Sequence, residues 1–297
     1  MEKEQILKER QKRSKRQIPK EEKTMVNEHS PKKDLTPYQK VMEARKQDRI
    51  NIMEYIDSLF DDFMELHGDR FFRDDPAIVG GIACFHGIPV TVLGHRKGRT
   101  TEENIRYRFG MASPEGYRKA IRLMKEAEIF HRPVITFVDT PGAYPGLEAE
   151  SNGQSNAIAQ CIATMSQLKV PTISIVTGEG GSGGALALAM ADTVWMLENA
   201  VYSILSPEGF ATIMWKDAKK AAQASQLMKI TAKELKEYGI IDGMIPEGKK
   251  CLKAIDHMLM AEITRLGKFS GESLAKNRVM KFRKMNEPII LVHADER

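Results

Sequence analysis

A glycine-rich stretch in the middle of the chain holds the residue types best suited to chemistry. It reads VTGEGGSGGAL, and five of its residues are glycine. Its spacing fits two known patterns at once. Gly178-x-Gly180-x-x-Gly183 is a dinucleotide-binding fingerprint, and Gly180-x-Ser182-x-Gly184 is the nucleophile elbow of hydrolases. The two patterns predict different functions, and each requires supporting residues elsewhere in the chain.

The rest of the sequence gives little support for either of these two functions. A hydrolase needs a histidine within reach of the serine, and only His257 and His293 follow Ser182 in the sequence. His257 falls on an amphipathic helical pattern and His293 in the C-terminal tail. A dinucleotide site needs an acid about twenty residues after Gly178, where Glu198 stands, but the helix between them is short.

A third interpretation uses the backbone of the same stretch. The first N–H groups of a helix have no intrahelical partner, and the helix dipole adds positive charge there. Glycine has no Cβ, so a substrate oxygen can approach such N–H groups closely. Two of these donors form an oxyanion hole, which stabilises negative charge as it develops. The glycines can also serve only to let helix and strand pack closely, and the residues alone leave that alternative open.

A second loop has the same position between a strand and a helix. It runs from Asp139 to Gly146 and reads DTPGAYPG, with two prolines and one tyrosine. A simple turn does not need eight residues of this kind, so we expect the loop to form the wall of a pocket.

Hydrophobic periodicity predicts the elements that position both loops. An amphipathic helix over Ile50–Leu66 precedes a β-hairpin. Strands and helices then alternate, which indicates an α/β fold with a mostly parallel sheet. The predicted hairpin strands are Ile78–Phe85 and Ile88–Leu93; the alternating elements are helix Glu115–Phe130, strand Val134–Val138, helix Gln154–Leu168, strand Thr172–Thr177, a short helix near Gly184–Ala191, and strand Thr193–Leu197.

Composition and charge limit the function classes. The chain has 42% hydrophobic and 29% charged residues, three scattered cysteines, and no apolar run near the ~20 residues that cross a bilayer. We therefore expect a cytoplasmic globular protein. Residues 1–50 carry a net charge of +6 and the remainder −1. We predict a mobile basic extension over 1–36, whose interspersed acids and lack of aromatic residues argue against nucleic-acid binding as its primary role.

Several longer motifs resemble one family. The loops quoted above, together with HGDRFFRDDPAIVGGIA, GHRKGR, FGMASPEGYRKA and YSILSPEG, closely resemble the carboxyltransferase alpha subunits of bacterial acetyl-CoA carboxylase. The resemblance runs from about Leu35 to Leu266. It implies a crotonase-like α/β fold of repeated ββα units with added helices, over residues 37–268, followed by a C-terminal helix and tail over 269–297.

The same resemblance implies a reaction and partners. The reaction is transfer of a carboxyl group from carboxybiotin, held on a biotin carboxyl carrier protein, to acetyl-CoA, giving malonyl-CoA for fatty-acid synthesis. The subunit is expected to work only with a homologous beta subunit in an α2β2 assembly, alongside biotin carboxylase. No cofactor is expected on this chain, because biotin arrives on the carrier protein and zinc belongs to the beta subunit.

The resemblance also assigns residues. The oxyanion donors align with Gly183 and Gly184, and we expect substrate contacts from a second set of residues near them. Ser151-Asn152 stands where the family usually has Glu-Arg, which puts any role of residues 148–156 in doubt. One alternative is an inactive paralogue kept for complex assembly, made inactive by this Ser151-Asn152 change. Another is a stand-alone crotonase-type acyl-CoA hydratase or isomerase, which would need a properly placed carboxylate. The expected substrate-binding residues are Gly142, Ala143, Tyr144, Gly180 and Gly181.

Overall fold

The strands of the protein form one mixed sheet. The computed structural model describes residues 34–285, and in this range eight strands lie in a single sheet. The strands are β1 (Asp61–Glu65), β2 (Ile78–Phe85), β3 (Ile88–His95), β4 (Val134–Thr140), β5 (Thr172–Gly181), β6 (Thr193–Leu197), β7 (Val201–Ser203) and β8 (Gly243–Ile245).

Helices occupy most of the connections between these strands. Those in the described range are α1 (Pro37–Ala44), α2 (Ile52–Leu59), α3 (Thr101–Arg106), α4 (Pro114–Ile129), α5 (Leu147–Ser151), α6 (Gln154–Gln167), α7 (Ser182–Ala189), α8 (Pro207–Trp215), α9 (Ala221–Met228), α10 (Ala232–Glu237), α11 (Cys251–Leu266) and α12 (Gly271–Lys284). Within residues 34–285, no helix has the length and apolar character needed to cross a membrane.

The sheet changes from antiparallel to parallel along its order. The order is β1-β2-β3-β4-β5-β6-β8, with β7 paired to the end of β5. The first three strands are antiparallel neighbours, and every pair from β3 onward is parallel. This confirms the predicted hairpin followed by a mostly parallel sheet. The carboxyl ends of β4 and β5 therefore lie side by side, which brings the two predicted loops to one edge.

The hairpin turn has the backbone geometry that its sequence predicts. His86 and Gly87 both have positive φ, at 47° and 82°. Two positive φ values mark a type I′ turn, whose twist matches that of the flanking strands. The register pairs Phe85 with Ile88 and continues to Ile78 and His95.

The predicted helix Ile50–Leu66 is wrong in its second half. Helix α2 ends at Leu59, and Asp61–Glu65 is strand β1, which pairs with β2. Phe60 is already extended, with φ −127° and ψ 148°. The helical spacing of apolar residues continues past Leu59, but hydrogen bonds to an open sheet edge determine the conformation there. Tertiary context outweighs local periodicity in this segment.

The core consists of one large apolar cluster and one small one. The large cluster contains the inner strands and the helices packed on them. The small cluster joins Val41 and Ala44 of α1 to Val201 and Ile230. Helix α1 is thus held by apolar contacts that are separate from the main core.

Helix α12 is attached to the body through a buried arginine. Arg278 donates to the carbonyl oxygens of Met165, Leu168 and Val170 at 2.8–3.2 Å and pairs with Asp192. These bonds occupy the guanidinium donors and so make burial of its charge possible.

Candidate active site

The strand–helix turn at Gly181–Gly184 forms the centre of the candidate site. Strand β5 continues through the glycines to Gly181, four residues beyond the predicted end at Thr177, and α7 begins directly at Ser182. Ser182 has φ 54°, in the left-handed region, so the chain reverses within one residue. The turn is therefore tight, and it exposes Ser182 while leaving Gly183 half-buried and Gly184 buried.

The first amides of α7 are available as donors. Gly181, at the N-cap, gives the helix no side-chain cap. Among the described residues, the amides of Gly183 and Gly184 do not donate to the turns and loops around them. The first four N–H groups of a helix also lack intrahelical acceptors, and they lie at the positive end of the helix dipole. The turn thus has donors of the kind that an oxyanion hole requires, and the assignment of Gly183 and Gly184 stays a prediction.

Contact with the second loop explains why Gly184 has no side chain. A Cβ at Gly184 would lie 2.8 Å from the amide nitrogen of Ala143, from the carbonyl carbon of Gly142 and from the hydroxyl of Tyr117. Such distances are too short for a carbon atom, so the two loops meet backbone to backbone. Gly183 is less restricted, because its Cβ would meet only Ile158 Cγ2 at 3.3 Å.

Hydrogen bonds hold the second loop beside the turn. The Gly142 amide donates to Thr140 Oγ1 at 3.1 Å, and the Tyr144 amide donates to the Ala112 carbonyl at 3.0 Å. Gln154 Nε2 donates to the carbonyls of Ala112 and Tyr144, at 2.8 and 3.0 Å. The loop is thus held in place beside Gly184, and contact of Gly142, Ala143 and Tyr144 with substrate stays a prediction.

Gly180 and Gly181 have packing reasons for their small size. A Cβ on Gly181 would lie 2.1 Å from the Pro141 carbonyl oxygen, and one on Gly180 would lie 2.8 Å from the Tyr202 ring. Both residues pair with β7. The packing alternative therefore holds for these two glycines, and their contact with substrate stays a prediction.

The side chains of the GHRKGR motif make contacts within the chain. His95 is only 2% exposed, and burial together with the charge of Lys97 lowers the pKa of its imidazole to about 3. The Arg96 guanidinium lies over the Tyr107 ring at 4.5 Å from its centroid, and Arg99 pairs with Glu54. Arg96 and Arg99 thus each have a partner within the chain, and any contact of these two side chains with a CoA phosphate stays a prediction.

A network of charged side chains lies directly behind the glycine turn. Lys97 Nζ is 2.7 Å from Asp139 Oδ1 and 3.2 Å from Glu179 Oε2. The Glu179 amide donates to Asp139 Oδ1 at 2.9 Å. Arg45 then joins Glu179 to Glu208. The sequence gives no signal for this network, because Arg45 lies in a polar segment without a recognisable motif and is far from Glu179 and Glu208 along the chain.

The structure does not support the hydrolase interpretation. Ser182 is exposed, but His257 is an exposed residue of α11, which packs against α2 and β8. His293 lies outside the described residues. The buried His95 is neutral, with its pKa lowered to about 3, so it is not a base for an exposed hydroxyl. Ser182 is best explained as the residue of the tight turn.

The dinucleotide interpretation also lacks its required geometry. Helix α7 has only eight residues, and the sheet begins with an antiparallel hairpin rather than a βαβ unit. Glu198, the expected ribose ligand, accepts a hydrogen bond from the Glu247 amide at 3.3 Å. That carboxylate serves a turn of this chain.

Asn152, one of the two residues that differ from the usual Glu-Arg of the family, takes part in a local polar network. Asn152 Nδ2 donates to Glu115 Oε1 at 3.3 Å, and Arg118 Nη1 donates to the Asn152 carbonyl at 3.2 Å. Arg118 also binds Asp69 at 2.8 Å. Asn152 is thus held by α4 and its neighbours.

No potential metal centre occurs in residues 34–285. No group of three or more His, Cys, Asp or Glu side chains is arranged there to hold an ion. Cys84, Cys161 and Cys251 are free thiols in this range. Burial raises the pKa of the Cys251 thiol to about 11, so it stays protonated near neutral pH.

Comparison with known proteins agrees with the geometry of the site. The family profile described as acetyl co-enzyme A carboxylase carboxyltransferase-like matches residues 1–286. The acetyl-coenzyme A carboxylase carboxyl transferase subunit alpha of Clostridium acetobutylicum is 56% identical over 262 residues, which cover 86% of this chain and 96% of that protein. The chain belongs to the carboxyltransferase alpha-subunit family. The alpha subunit of Streptococcus uberis is likewise 56% identical, over 81% of this chain and 96% of its own length.

A fused relative shows how the family is organised. The Natranaerobius thermophilus protein is named carboxyl transferase subunits beta/alpha. It is 54% identical to this chain over 84% of this chain's length, and the match covers 43% of the Natranaerobius protein. The names of these relatives identify a subunit of an enzyme that also has a beta subunit. Members of the family therefore act within a multi-subunit enzyme.

Solved structures confirm the crotonase-like fold. The transcarboxylase 12S structure matches with a TM-score of 0.63 and 19% identity, covering 83% of this chain. This chain spans about half, 47%, of the 12S chain. A Pseudomonas malonate decarboxylase hetero-tetramer matches with a TM-score of 0.60 and 16% identity, covering 75% of this chain and 92% of that one. At such identities the likeness establishes the fold alone.

Proposed function

We propose that this chain provides the anion-stabilising half of a site that transfers a carboxyl group from carboxybiotin to acetyl-CoA. The single observation that carries the proposal is the turn at Gly183 and Gly184, where uncapped helix amides lie against a fixed second loop. Family membership makes the chain a carboxyltransferase subunit. The geometry supports a role for the backbone in that reaction.

The residues of the turn fit the donor group that the reaction requires. When bound, carboxybiotin supplies the carboxyl group and a ureido nitrogen that can take a proton from the acetyl methyl group. The amides of Gly183 and Gly184 donate to the oxygen on which negative charge develops. The dipole of α7 adds to this stabilisation, and the missing Cβ atoms let the oxygen approach.

The chain does not need a side-chain base for this chemistry. The carboxylate nearest the turn in sequence, Glu179, pairs with Lys97 and Arg45. Burial alone would raise its pKa, but those two cations hold the pKa below its usual value. Glu179 is therefore ionised and engaged at neutral pH, which suits a site whose donors are backbone amides.

A partner is proposed to close the site. Phe71 and Leu147, at 83% and 84% exposed, are large apolar side chains on neighbouring segments, which the Arg73–Glu148 ion pair joins at 2.7 Å. A contiguous exposed apolar patch marks an association surface, and these two side chains would contribute to one on this face. We propose the beta subunit as the partner, in an α2β2 assembly, with zinc on that subunit. Biotin is proposed to arrive on its carrier protein from biotin carboxylase.

The stand-alone hydratase is not favoured by the candidate acids. A hydratase needs a carboxylate with its pKa matched to proton transfer. Glu179 has a lowered pKa, Glu148 pairs with Arg73, and Glu150 is exposed. The Ser151-Asn152 change, which motivates the inactive paralogue, lies outside the turn and the second loop, so that alternative is also not favoured.

Reconstitution tests the proposal. The purified chain, its beta subunit, and an equimolar mixture are each incubated with acetyl-CoA and a carboxybiotin donor, and malonyl-CoA is measured by chromatography. We expect product from the mixture alone. Turnover of an enoyl-CoA by the isolated chain would refute the proposal in favour of a hydratase, and a stable complex without product would favour the inactive paralogue.

A further inference from the structure

Arg45 makes an unusual set of contacts for a residue at the end of a surface helix. It is the C-cap residue of α1. Its Nε donates to Glu179 Oε1 at 2.8 Å. Its two terminal nitrogens donate to the two oxygens of Glu208, at 2.8 and 3.1 Å. One planar guanidinium therefore joins two carboxylates from separate elements, a geometry that lysine cannot reproduce.

The two carboxylates come from elements that border the glycine turn. Glu179 lies in β5, two residues before Gly181, and pairs with Val201 of β7. Glu208 lies in the first turn of α8 and follows the N-cap Ser206. Arg45 thus fixes the end of the strand that carries the oxyanion donors relative to the start of α8.

The contacts extend to the second loop as well. Lys97 joins Glu179 to Asp139, and Asp139 also accepts the Glu179 amide. Asp139 is the first residue of the loop that packs against Gly184. The contacts that start at Arg45 therefore reach both parts of the candidate site, the glycine turn and the second loop.

A second arginine binds the same strand from the same segment. Arg49 donates to the Thr177 carbonyl at 2.6 Å and to both oxygens of Glu247, at 3.0 and 2.9 Å. We call residues 37–49, which comprise α1 and these two arginines, the strap. Apolar contacts of Val41 and Ala44 seat the strap on Val201 and Ile230.

We infer that Arg45 is a positioning residue for carboxyl transfer. By joining the end of β5 to the start of α8, it holds the amides of Gly183 and Gly184 in the position needed to donate to the substrate oxygen. The inference rests on the proposed function of those amides. It assigns the strap a part in turnover, although no strap residue belongs to the turn or to the second loop.

The charges in the network favour a fixed arrangement. The hydrogen bond to Arg45 holds the pKa of Glu208 below its usual value, and burial opposes it only in part. The Arg45 and Glu208 side chains are 31% and 34% exposed, so their ion pair adds little net stability, whereas its two parallel hydrogen bonds restrict the position of one element relative to the other. A network that specifies position is therefore a better explanation for these five groups than one that only adds stability.

The test separates positioning from stability by measuring the assembled complex. Arg45→Met, Arg45→Lys and the control Lys46→Met are each reconstituted with the beta subunit, and kcat and the KM for acetyl-CoA are measured per assembled complex. Within residues 34–285, the one ion pair of Lys46 is with Glu43 of the strap itself, at 2.7 Å, so Lys46→Met removes one strap cation without affecting the contacts of Arg45. Thermal unfolding and size-exclusion profiles are recorded for each variant.

We expect Arg45→Met to lower kcat by about tenfold or more, with KM within about twofold, since donor geometry acts on the transition state. Arg45→Lys should recover part of kcat, and Lys46→Met should match the wild type. Arg45→Met and Glu208→Gln should be non-additive in kcat, because both break the same contact.

Two results would overturn the inference. One is an Arg45→Met complex with wild-type kcat and a lowered melting temperature, which would make Arg45 a structural anchor only. The other is full additivity of the two substitutions. If the wild-type mixture makes no malonyl-CoA, the proposed function itself fails; an active wild type with unaffected variants sinks only this inference.

Discussion

Replacing Gly184 by alanine is the sharpest perturbation of the proposed oxyanion donors. The added Cβ would lie 2.8 Å from three atoms, two of them in the backbone of Gly142 and Ala143. Ordinary contact begins at 3.4 Å, so the two loops must separate by about 0.6 Å. The backbone atoms cannot rotate away as a flexible side chain would, and the movement must fall on the turn itself.

That displacement is large enough to remove a hydrogen bond. An oxyanion donor at about 2.9 Å would move to about 3.5 Å, beyond the useful range for N–H···O contacts. Loss of one such donor lowers kcat by roughly 100- to 1,000-fold, or about 2.7–4 kcal/mol. We therefore expect Gly184→Ala to lose kcat on that scale, with a smaller loss for Gly183→Ala, whose Cβ meets one methyl group at 3.3 Å.

The assay is malonyl-CoA formation by the complex with the beta subunit, normalised to the assembled fraction. Gly271→Ala is the matched control. Its Cβ would lie 2.6 Å from the Lys169 backbone oxygen and side chain, a comparable clash at the start of α12. Both variants should lose stability through overpacking, by about 1–3 kcal/mol, but only Gly184→Ala should lose turnover.

The reasoning would be refuted by a Gly184→Ala complex that assembles and turns over within about threefold of the wild type. It would also be refuted if Gly271→Ala lost as much kcat as Gly184→Ala. The first result would mean that the Gly184 backbone is not a donor. The second would mean that general destabilisation, rather than donor geometry, limits the rate.

Three further predictions follow from side chains around the site and at the C-terminal helix. Ser182→Ala should keep kcat within about threefold, because Ser182 is a turn residue; a complete loss of malonyl-CoA formation would instead indicate a nucleophile. Thermal unfolding measured from pH 7 to pH 3 should show a stability contribution from Glu179 that is present above its unfolded pKa of about 4.5 and lost as the pH falls through the lower folded value. A Glu179→Gln variant should lack that part of the pH dependence, and an unchanged profile would contradict it. Arg278→Met should lower the free energy of unfolding by about 3–5 kcal/mol, because Asp192 is left buried without its partner. Chemical denaturation measures this loss, and a loss well below that range would contradict the prediction.

Local sequence signals were sufficient where a single pattern determines the structure. The sequence Ser-Pro-Glu-Gly, which has the residues of a helix start, occurs twice, and helices α4 and α8 begin at its prolines, Pro114 and Pro207. The hairpin turn at His86-Gly87 is likewise set by residues that tolerate positive φ. In these places propensity and tertiary structure agree.

The missed features depend on contacts between distant residues. Strand β1 forms because an edge of β2 is open to it, although its own sequence continues a helical pattern. Strand β5 extends through Gly181 because β7, which was not predicted, supplies a partner. Lys97 and Glu179 are 82 residues apart, so no local pattern could predict their ion pair.

The separate apolar seat of the strap has a consequence for native-state fluctuations. Because Val41, Ala44, Val201 and Ile230 form a cluster apart from the main core, the strap can open as its own cooperative unit while the sheet stays folded. Amide hydrogen exchange should then show residues 38–44 exchanging faster than β4 or β5, with a free energy of opening below that of global unfolding. Each opening event would break the contacts of Arg45 with Glu179 and Glu208 together, while Lys97 still holds Glu179, so the lifetime of the closed strap would limit how long the donor turn stays aligned.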